Sequence, residues 1–175
     1  MSTSVDECRT RTASDHAAAL RRTLRVGDPA PEFSLRDASG NEVRLSALRK
    51  WGPVVIFFYP GDFTPLCTRE ACGFRDALAE FREAGASVVG ISGDKPDTHR
   101  AFARAMGLGF PLLSDEDGAV RAAYGVRRTL GLLPGRTTFV IDTGGVVRMV
   151  HRGQWRPREH VRRALEAVRA IASVG

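Results

Sequence analysis

The spacing of apolar residues changes several times along this 175-residue chain, and each change predicts an element. Val54 to Tyr59 is a continuous apolar run, the signature of a strand buried on both faces. Pro60-Gly61-Asp62 interrupts it, and Thr64 and Pro65 then suit the N-cap and first position of a helix. That helix is predicted to run from Pro65 to about Ala84, with Phe74, Leu78 and Phe81 on one face and Gly85 as its end. A second buried strand, Ser87 to Ser92, precedes a helix from about Pro96 to Met106, whose Phe102 and Met106 read as core. Earlier, Glu32 to Arg36 and Glu42 to Leu45 alternate around Asp37-Ala38-Ser39-Gly40-Asn41, a hairpin. Later, Thr137 to Ile141 and Val146 to Val150 bracket the turn Asp142-Thr143-Gly144-Gly145 as adjacent antiparallel strands. A last helix, from about Pro157 to Ala172, points Val161, Leu165 and Val168 inward. Strands alternating with helices predict a three-layer α/β domain around a mixed sheet.

Composition narrows the class. With 43% hydrophobic residues the chain suits one domain, residues 25–175, behind a loosely held extension, residues 1–24, in which Ser14 could cap a short helix to Leu24. No apolar run approaches the roughly 20 residues of a membrane span. The first 25 residues lack an apolar core segment and carry Asp6, Glu7 and Asp15, so a secretory signal, a transit peptide and a membrane anchor are not expected. Three cysteines are too few for a disulfide framework and fit a cytoplasmic protein with redox-active thiols. The net charge of +6 comes almost wholly from arginines scattered between Arg9 and Arg169 among acids, a solvated surface rather than a nucleic-acid footprint. His16, His99, His151 and His160 have no ligand spacing, and no phosphate-binding glycine motif occurs. No metal or other cofactor is expected.

The candidate chemistry is sulfur chemistry. Cys67 falls in the first turn of the predicted helix, where unpaired N–H groups and the positive end of the dipole favour a thiolate over a thiol. A cysteine after an apolar strand is often an inert core residue; the Thr64-Pro65 context is what favours a nucleophile here. Cys72 either packs in the same helix or acts with Cys67, and Cys8 reads as an incidental exposed thiol. Four residues separate Cys67 from Cys72, unlike the CxxC of disulfide exchangers. Ionisation alone is a modest gain: fully ionising an ordinary thiol at pH 7 raises the thiolate fraction about thirtyfold, ~2 kcal/mol of barrier. If the substrate is a peroxide, the pocket must also align the O–O bond and hydrogen-bond the departing oxygen.

Pro60, Thr64 and Cys67 reproduce a PxxxTxxC pattern, and Thr68-Arg69-Glu70-Ala71-Cys72-Gly73-Phe74-Arg75-Asp76 continues it, so the chain resembles the peroxiredoxins in their peroxiredoxin Q or bacterioferritin comigratory branch. The resemblance runs from about Val26 to Ala167, through Gly27-Asp28-Pro29-Ala30-Pro31-Glu32-Phe33, Leu112-Leu113-Ser114-Asp115 and Arg136-Thr137-Thr138-Phe139-Val140-Ile141-Asp142; Leu66 departs from the usual Gly. It implies a thioredoxin-like fold and a peroxidase in which Cys67 attacks hydrogen peroxide or an organic hydroperoxide. Cys72 would resolve the sulfenic acid as a disulfide, and thioredoxin or a similar dithiol would reduce it. It further implies that Thr64 shares the pocket, that Arg136 contacts thiolate and peroxide, and that Pro60 shields them. Glu70 either orients an arginine or is a solvated helix-face acid; Arg69 and Arg75 are surface charges or members of that network. A monomer or weak dimer is expected. A redox sensor and a general disulfide oxidoreductase or chaperone are the alternative functions. Two Cα atoms five residues apart in an α-helix lie about 8.7 Å from each other. A disulfide tolerates about 7 Å, so the implied bond requires the helix to open.

Overall fold

The structure is a computed structural model, described here for residues 23–127 and 135–174. Cys8, His16 and nearly all of the expected N-terminal extension lie outside the described residues. Seven strands form one sheet in the order β2-β1-β5-β4-β3-β6-β7. They are β1 (Ser34–Asp37), β2 (Glu42–Arg44), β3 (Val54–Phe58), β4 (Ser87–Ser92), β5 (Leu112–Ser114), β6 (Thr137–Ile141) and β7 (Val147–Arg152). The three central strands β3, β4 and β5 run parallel and the outer pairings are antiparallel, which makes the sheet mixed as the alternating pattern predicts.

The all-apolar run of β3 is explained by its position. Every residue of it is buried, and successive side chains alternate between two cores. Val55, Phe57 and Tyr59 face one core with Phe74, Phe81, Phe102, Ala164 and Val168; Val54, Ile56 and Phe58 face the other with Phe33, Leu45, Tyr124 and Phe139. Helices α2 (Pro65–Asp76), α3 (Leu78–Glu83), α4 (Pro96–Met106) and α6 (Pro157–Ala172) supply the first core. The short α1 (Leu45–Leu48) and α5 (Ala119–Ala123) border the second. Three layers result. Phe57 stacks on Phe74 with ring centroids 4.5 Å apart, so Phe57→Ala removes the hinge of the first core and costs about 3–5 kcal/mol.

The expected helix from Pro65 to Ala84 is two helices. Ala77, at φ −91° and ψ 2°, interrupts it between α2 and α3. Phe74, Leu78 and Phe81 stay buried across the break, which is why their period gave no sign of it. Gly85, at φ +75°, ends α3 as expected. Gly73 brings α2 close to α6: a Cβ there would meet Val161 Cγ2 at 3.1 Å. Pro65, Pro96 and Pro157 each open a helix at the first position, where no N–H is needed.

Candidate active site

Strand β3 delivers the chain to the site and a short, tightly bonded loop turns it into α2. The Tyr59 hydroxyl donates to Asp62 Oδ1 at 2.7 Å, and Asp62 Oδ2 lies 2.7 Å from His99 Nδ1 on α4. The Asp62 N–H donates to Asp94 Oδ2 at 2.9 Å, and the Ser92 hydroxyl donates to the same oxygen at 2.6 Å. Tyr59, Asp62 and His99 are buried, and burial with the neighbouring Asp62 carboxylate pushes the Tyr59 phenol well above its ordinary value. Anchored on both sides, Phe63 adopts φ +60°, a left-handed conformation that costs a non-glycine residue about 1 kcal/mol or more. Its ring meets Phe102 edge-on at 5.1 Å. The loop is thereby fixed just before the helix that carries the thiols.

Cys67, in the first turn of α2, is 1% exposed, and Arg136 at the start of β6 donates from Nη2 to its sulfur at 3.2 Å. A second Arg136 nitrogen, Nη1, is paired with Glu70 Oε2, one helical turn beyond Cys67. Burial pushes the Glu70 carboxyl up to about 7 although the Arg136 charge pulls it down. The guanidinium is thus shared between the Glu70 carboxyl and the Cys67 sulfur. Arg136 Nε is buried with no hydrogen-bond partner among the described residues, an unspent donor in the same planar group.

Behind Glu70 stands a buried histidine. His160 of α6 accepts the Thr138 hydroxyl at Nδ1, 2.8 Å away, and donates from Nε2 to the Gly153 carbonyl at 2.9 Å. Its Nδ1 is 3.5 Å from Glu70 Oε1, an atom with no hydrogen bond of its own. Burial holds the imidazole down at about 4, so it is neutral at pH 7, in keeping with one accepting and one donating nitrogen.

The expected site residues are only partly gathered. Cys67, Arg136 and Glu70 meet, and Glu70 is a buried partner of the arginine rather than a solvated helix-face acid. Thr64 is the N-cap of α2, but it is exposed and its hydroxyl donates to the Gly61 carbonyl at 3.1 Å. Pro60 is half-buried at the end of β3. Cys72, five residues along the intact helix, is a half-buried free thiol, and Cys67 is likewise free. Arg75 pairs with Asp76 and donates to the Met106 carbonyl, and Arg69 is exposed, so both stand outside the Cys67 cluster. Sequence spacing missed His160; a signal was present, since His160, Ala164 and Val168 form the buried i, i+4, i+8 face of α6. His99, by contrast, meets Asp62 and Tyr59 only through long-range packing.

Asp62, Asp94 and His99 bring potential metal-ligand atoms within 4.8 Å of one another. The hydrogen bonds among these three residues, Tyr59 and Ser92 already use those atoms, which makes the cluster a loop anchor. Among the described residues no helix is long and apolar enough to cross a membrane.

Residues 26–150 match the AhpC/TSA family. Peroxiredoxin Q of Sedum lineare, a chloroplastic protein, is 47% identical over 146 residues, covering 83% of this chain and 78% of that one. A crystal structure of the peroxidoxin BcpB from Mycobacterium tuberculosis is 46% identical and superposes with a TM-score of 0.79 over 85% of this chain and 98% of that one. Peroxiredoxin Q from Xanthomonas campestris, 33% identical, gives a TM-score of 0.74 over 80% and 91%.

Proposed function

Because this chain belongs to the AhpC/TSA family and to its peroxiredoxin Q branch, we propose that it is a thiol peroxidase in which residues 25–175 act as one catalytic domain and Cys67 is the attacking sulfur. The observation that carries this reading is the Arg136 Nη2 to Cys67 Sγ contact of 3.2 Å between two buried side chains. A thiolate there is stabilised by a fixed cation and by the start of α2. It attacks the nearer peroxide oxygen along the O–O axis: the S–O bond forms, the O–O bond breaks, and the departing RO⁻ takes a proton to leave as alcohol or water. Arg136 has a free N–H to place against the oxygen that gains charge, and a planar fork of donors to hold thiolate and peroxide together. Glu70 orients the fork, and His160 and Thr138 close the far side of Glu70. In this reading Pro60 shields the sulfur, and Thr64 exchanges its hydrogen bond to the Gly61 carbonyl for one to the peroxide.

Cys67 then carries a sulfenic acid. In this reading Cys72, as thiolate, attacks Cys67 Sγ and expels hydroxide, which leaves as water, and an external dithiol of the thioredoxin type reduces the resulting disulfide. A solved structure of the Xanthomonas campestris bacterioferritin comigratory protein, 33% identical to this chain, is described in terms of alkyl peroxide reduction, which supports hydroperoxides as the substrate class. Peroxide consumption with and without a thioredoxin system tests the whole reading. Consumption that needs Cys67 and stalls after one equivalent without reductant agrees with it; undiminished consumption by Cys67→Ser refutes it.

A further inference from the structure

We propose that the open cleft beside Cys72 is the docking surface for a dithiol protein whose reactive cysteine is surrounded by carboxylates. The inference rests on the reading of Cys72 as the resolving thiol. One wall of the cleft is α2, with Arg69, Cys72, Gly73 and Asp76; the other is the β7–α6 loop and the start of α6, with Trp155, Arg156, Pro157, Arg158 and Glu159. Trp155 is 77% exposed, an indole with almost no packing of its own, in the cleft that Cys72 also lines. Tryptophan and arginine are the residues that most often carry the binding energy of protein interfaces.

Charge selects the partner. Both acids of the cleft are already neutralised: Asp76 pairs with Arg75 at 2.8 Å, and Glu159 with Arg162 at 2.6 Å and Arg163 at 2.7 Å. Among the described residues Arg69, Arg156 and Arg158 make no ion pair, so the cleft presents three uncompensated cations. Helix stability does not account for two of them. Arg156 is the N-cap of α6 and Arg158 follows Pro157, which places both against the positive end of the helix dipole, where cations are disfavoured. A local choice that opposes its own helix marks a surface kept for something else. An acidic partner surface complements all three.

The chemistry runs in the same direction. Cys72 lies on the cleft side of α2, and Cys67 on the buried side against Arg136. A partner thiolate docked in the cleft attacks Cys72 Sγ, forming a mixed disulfide, and the Cys67–Cys72 bond breaks with Cys67 leaving as the thiolate that Arg136 stabilises. The partner's second thiol, after losing its proton, attacks the partner sulfur of the mixed disulfide and releases Cys72 as thiolate. Two electrons pass to the enzyme, the partner ends as a disulfide, and its two protons pass to the enzyme thiols or to water. Trp155, Arg156 and Arg158 lie outside the α2 segment that must open.

The test uses the full chain oxidised by one equivalent of hydrogen peroxide, with the Cys67–Cys72 bond verified by peptide mass, then reduced either by a thioredoxin of net negative charge or by dithiothreitol. Arg156→Glu/Arg158→Glu is expected to fold, since acids suit a helix start. It should slow reduction by thioredoxin about tenfold or more, and should abolish the wild-type slowing between about 50 and about 500 mM salt. Trp155→Ala should slow it severalfold at every salt concentration, and dithiothreitol should reduce all forms within about twofold of one another. Three results would overturn the docking surface: thioredoxin reducing the charge-reversed protein as fast as wild type, dithiothreitol slowing in parallel, or thioredoxin reducing wild type no faster than dithiothreitol. An oxidised protein without the Cys67–Cys72 bond refutes the resolving role itself, and docking with it, before any reductant is added.

Discussion

The two thiols of α2 sit five residues apart in one helix, and their surroundings differ in almost every respect. Cys67 is buried against Arg136, with Glu70 and His160 behind the arginine, and the loop before it is pinned by Tyr59, Asp62, Asp94 and His99. Cys72 is half-buried beside Gly73, at the edge of an open cleft. The first sulfur is held by its environment; the second has no comparable partner among the described side chains. On the proposed reading a nucleophile requires a fixed geometry and a resolving thiol has to travel, a division that the unequal surroundings of the two cysteines suit.

The largest effect expected from this contrast is at Cys67 itself. Cys67→Ser should abolish peroxide turnover, while Cys72→Ser should leave the first oxidation within a few-fold of wild type and let the sulfenic acid persist and over-oxidise. Single-turnover peroxide consumption with mass detection separates the two, and a Cys72→Ser protein that fails in its first oxidation would erase the division of labour. Next in size is Arg136→Ala, expected to slow the first oxidation on the order of a hundredfold. Arg136→Lys should recover only part, because an ammonium lacks the planar fork. Full recovery of Arg136→Ala at high pH, in stopped-flow traces, would reduce the arginine to a thiolate stabiliser.

How far this contrast could be read in the sequence depended on the range of the interactions behind it. The thiols, the helix start and the partnership of Arg136 with Cys67 follow from local residue types and the family resemblance, and β4, β6, α4 and α6 have the expected bounds because each is set by a period or a proline. The three-residue β5 and the single-turn α1 and α5 are too short to show a period. Val146, expected as the start of a strand, instead bridges Pro29, and β7 continues past Val150 to Arg152 because the sheet pairing of β6 extends that far. His160 lay hidden because a histidine on an apolar helix face reads first as spacing and only in three dimensions as the neighbour of Glu70.

A smaller effect should appear in stability against pH. Glu70, raised to about 7 when folded from an ordinary 4.5, binds its proton more tightly in the native state, so its contribution falls as pH rises from about 4.5 to 7. His160, held at about 4 against an ordinary 6.5, binds its proton less tightly when folded, so its contribution is present above 6.5 and is lost as pH falls towards 4. Burial is the main cause of the His160 depression; His151 and Arg136 add to it, and the Gly153 carbonyl and Glu159 oppose it. In wild type the two slopes oppose each other. Glu70→Gln should expose a melting temperature that rises by a few degrees between about pH 4.5 and 6.5, and His160→Asn one that falls over the same window. Thermal melts across that window check the sign, and two variants with the same slope would remove the buried pair from the account. Smallest of all, Thr64→Val, which deletes an exposed hydroxyl bonded to Gly61, should slow peroxide reduction severalfold with little change in melting temperature, measured by the same stopped-flow assay.

The central claim is that the sulfurs meet only when α2 opens between them. Hydrogen exchange across residues 64–74, compared between the reduced protein and the disulfide form, measures it directly. Strong protection in the reduced state and its loss over this segment in the disulfide state is the predicted result. A verified Cys67–Cys72 disulfide with the same residues equally protected in both states would contradict it, because an intact helix holds the two Cα atoms about 8.7 Å apart, beyond the reach of the bond.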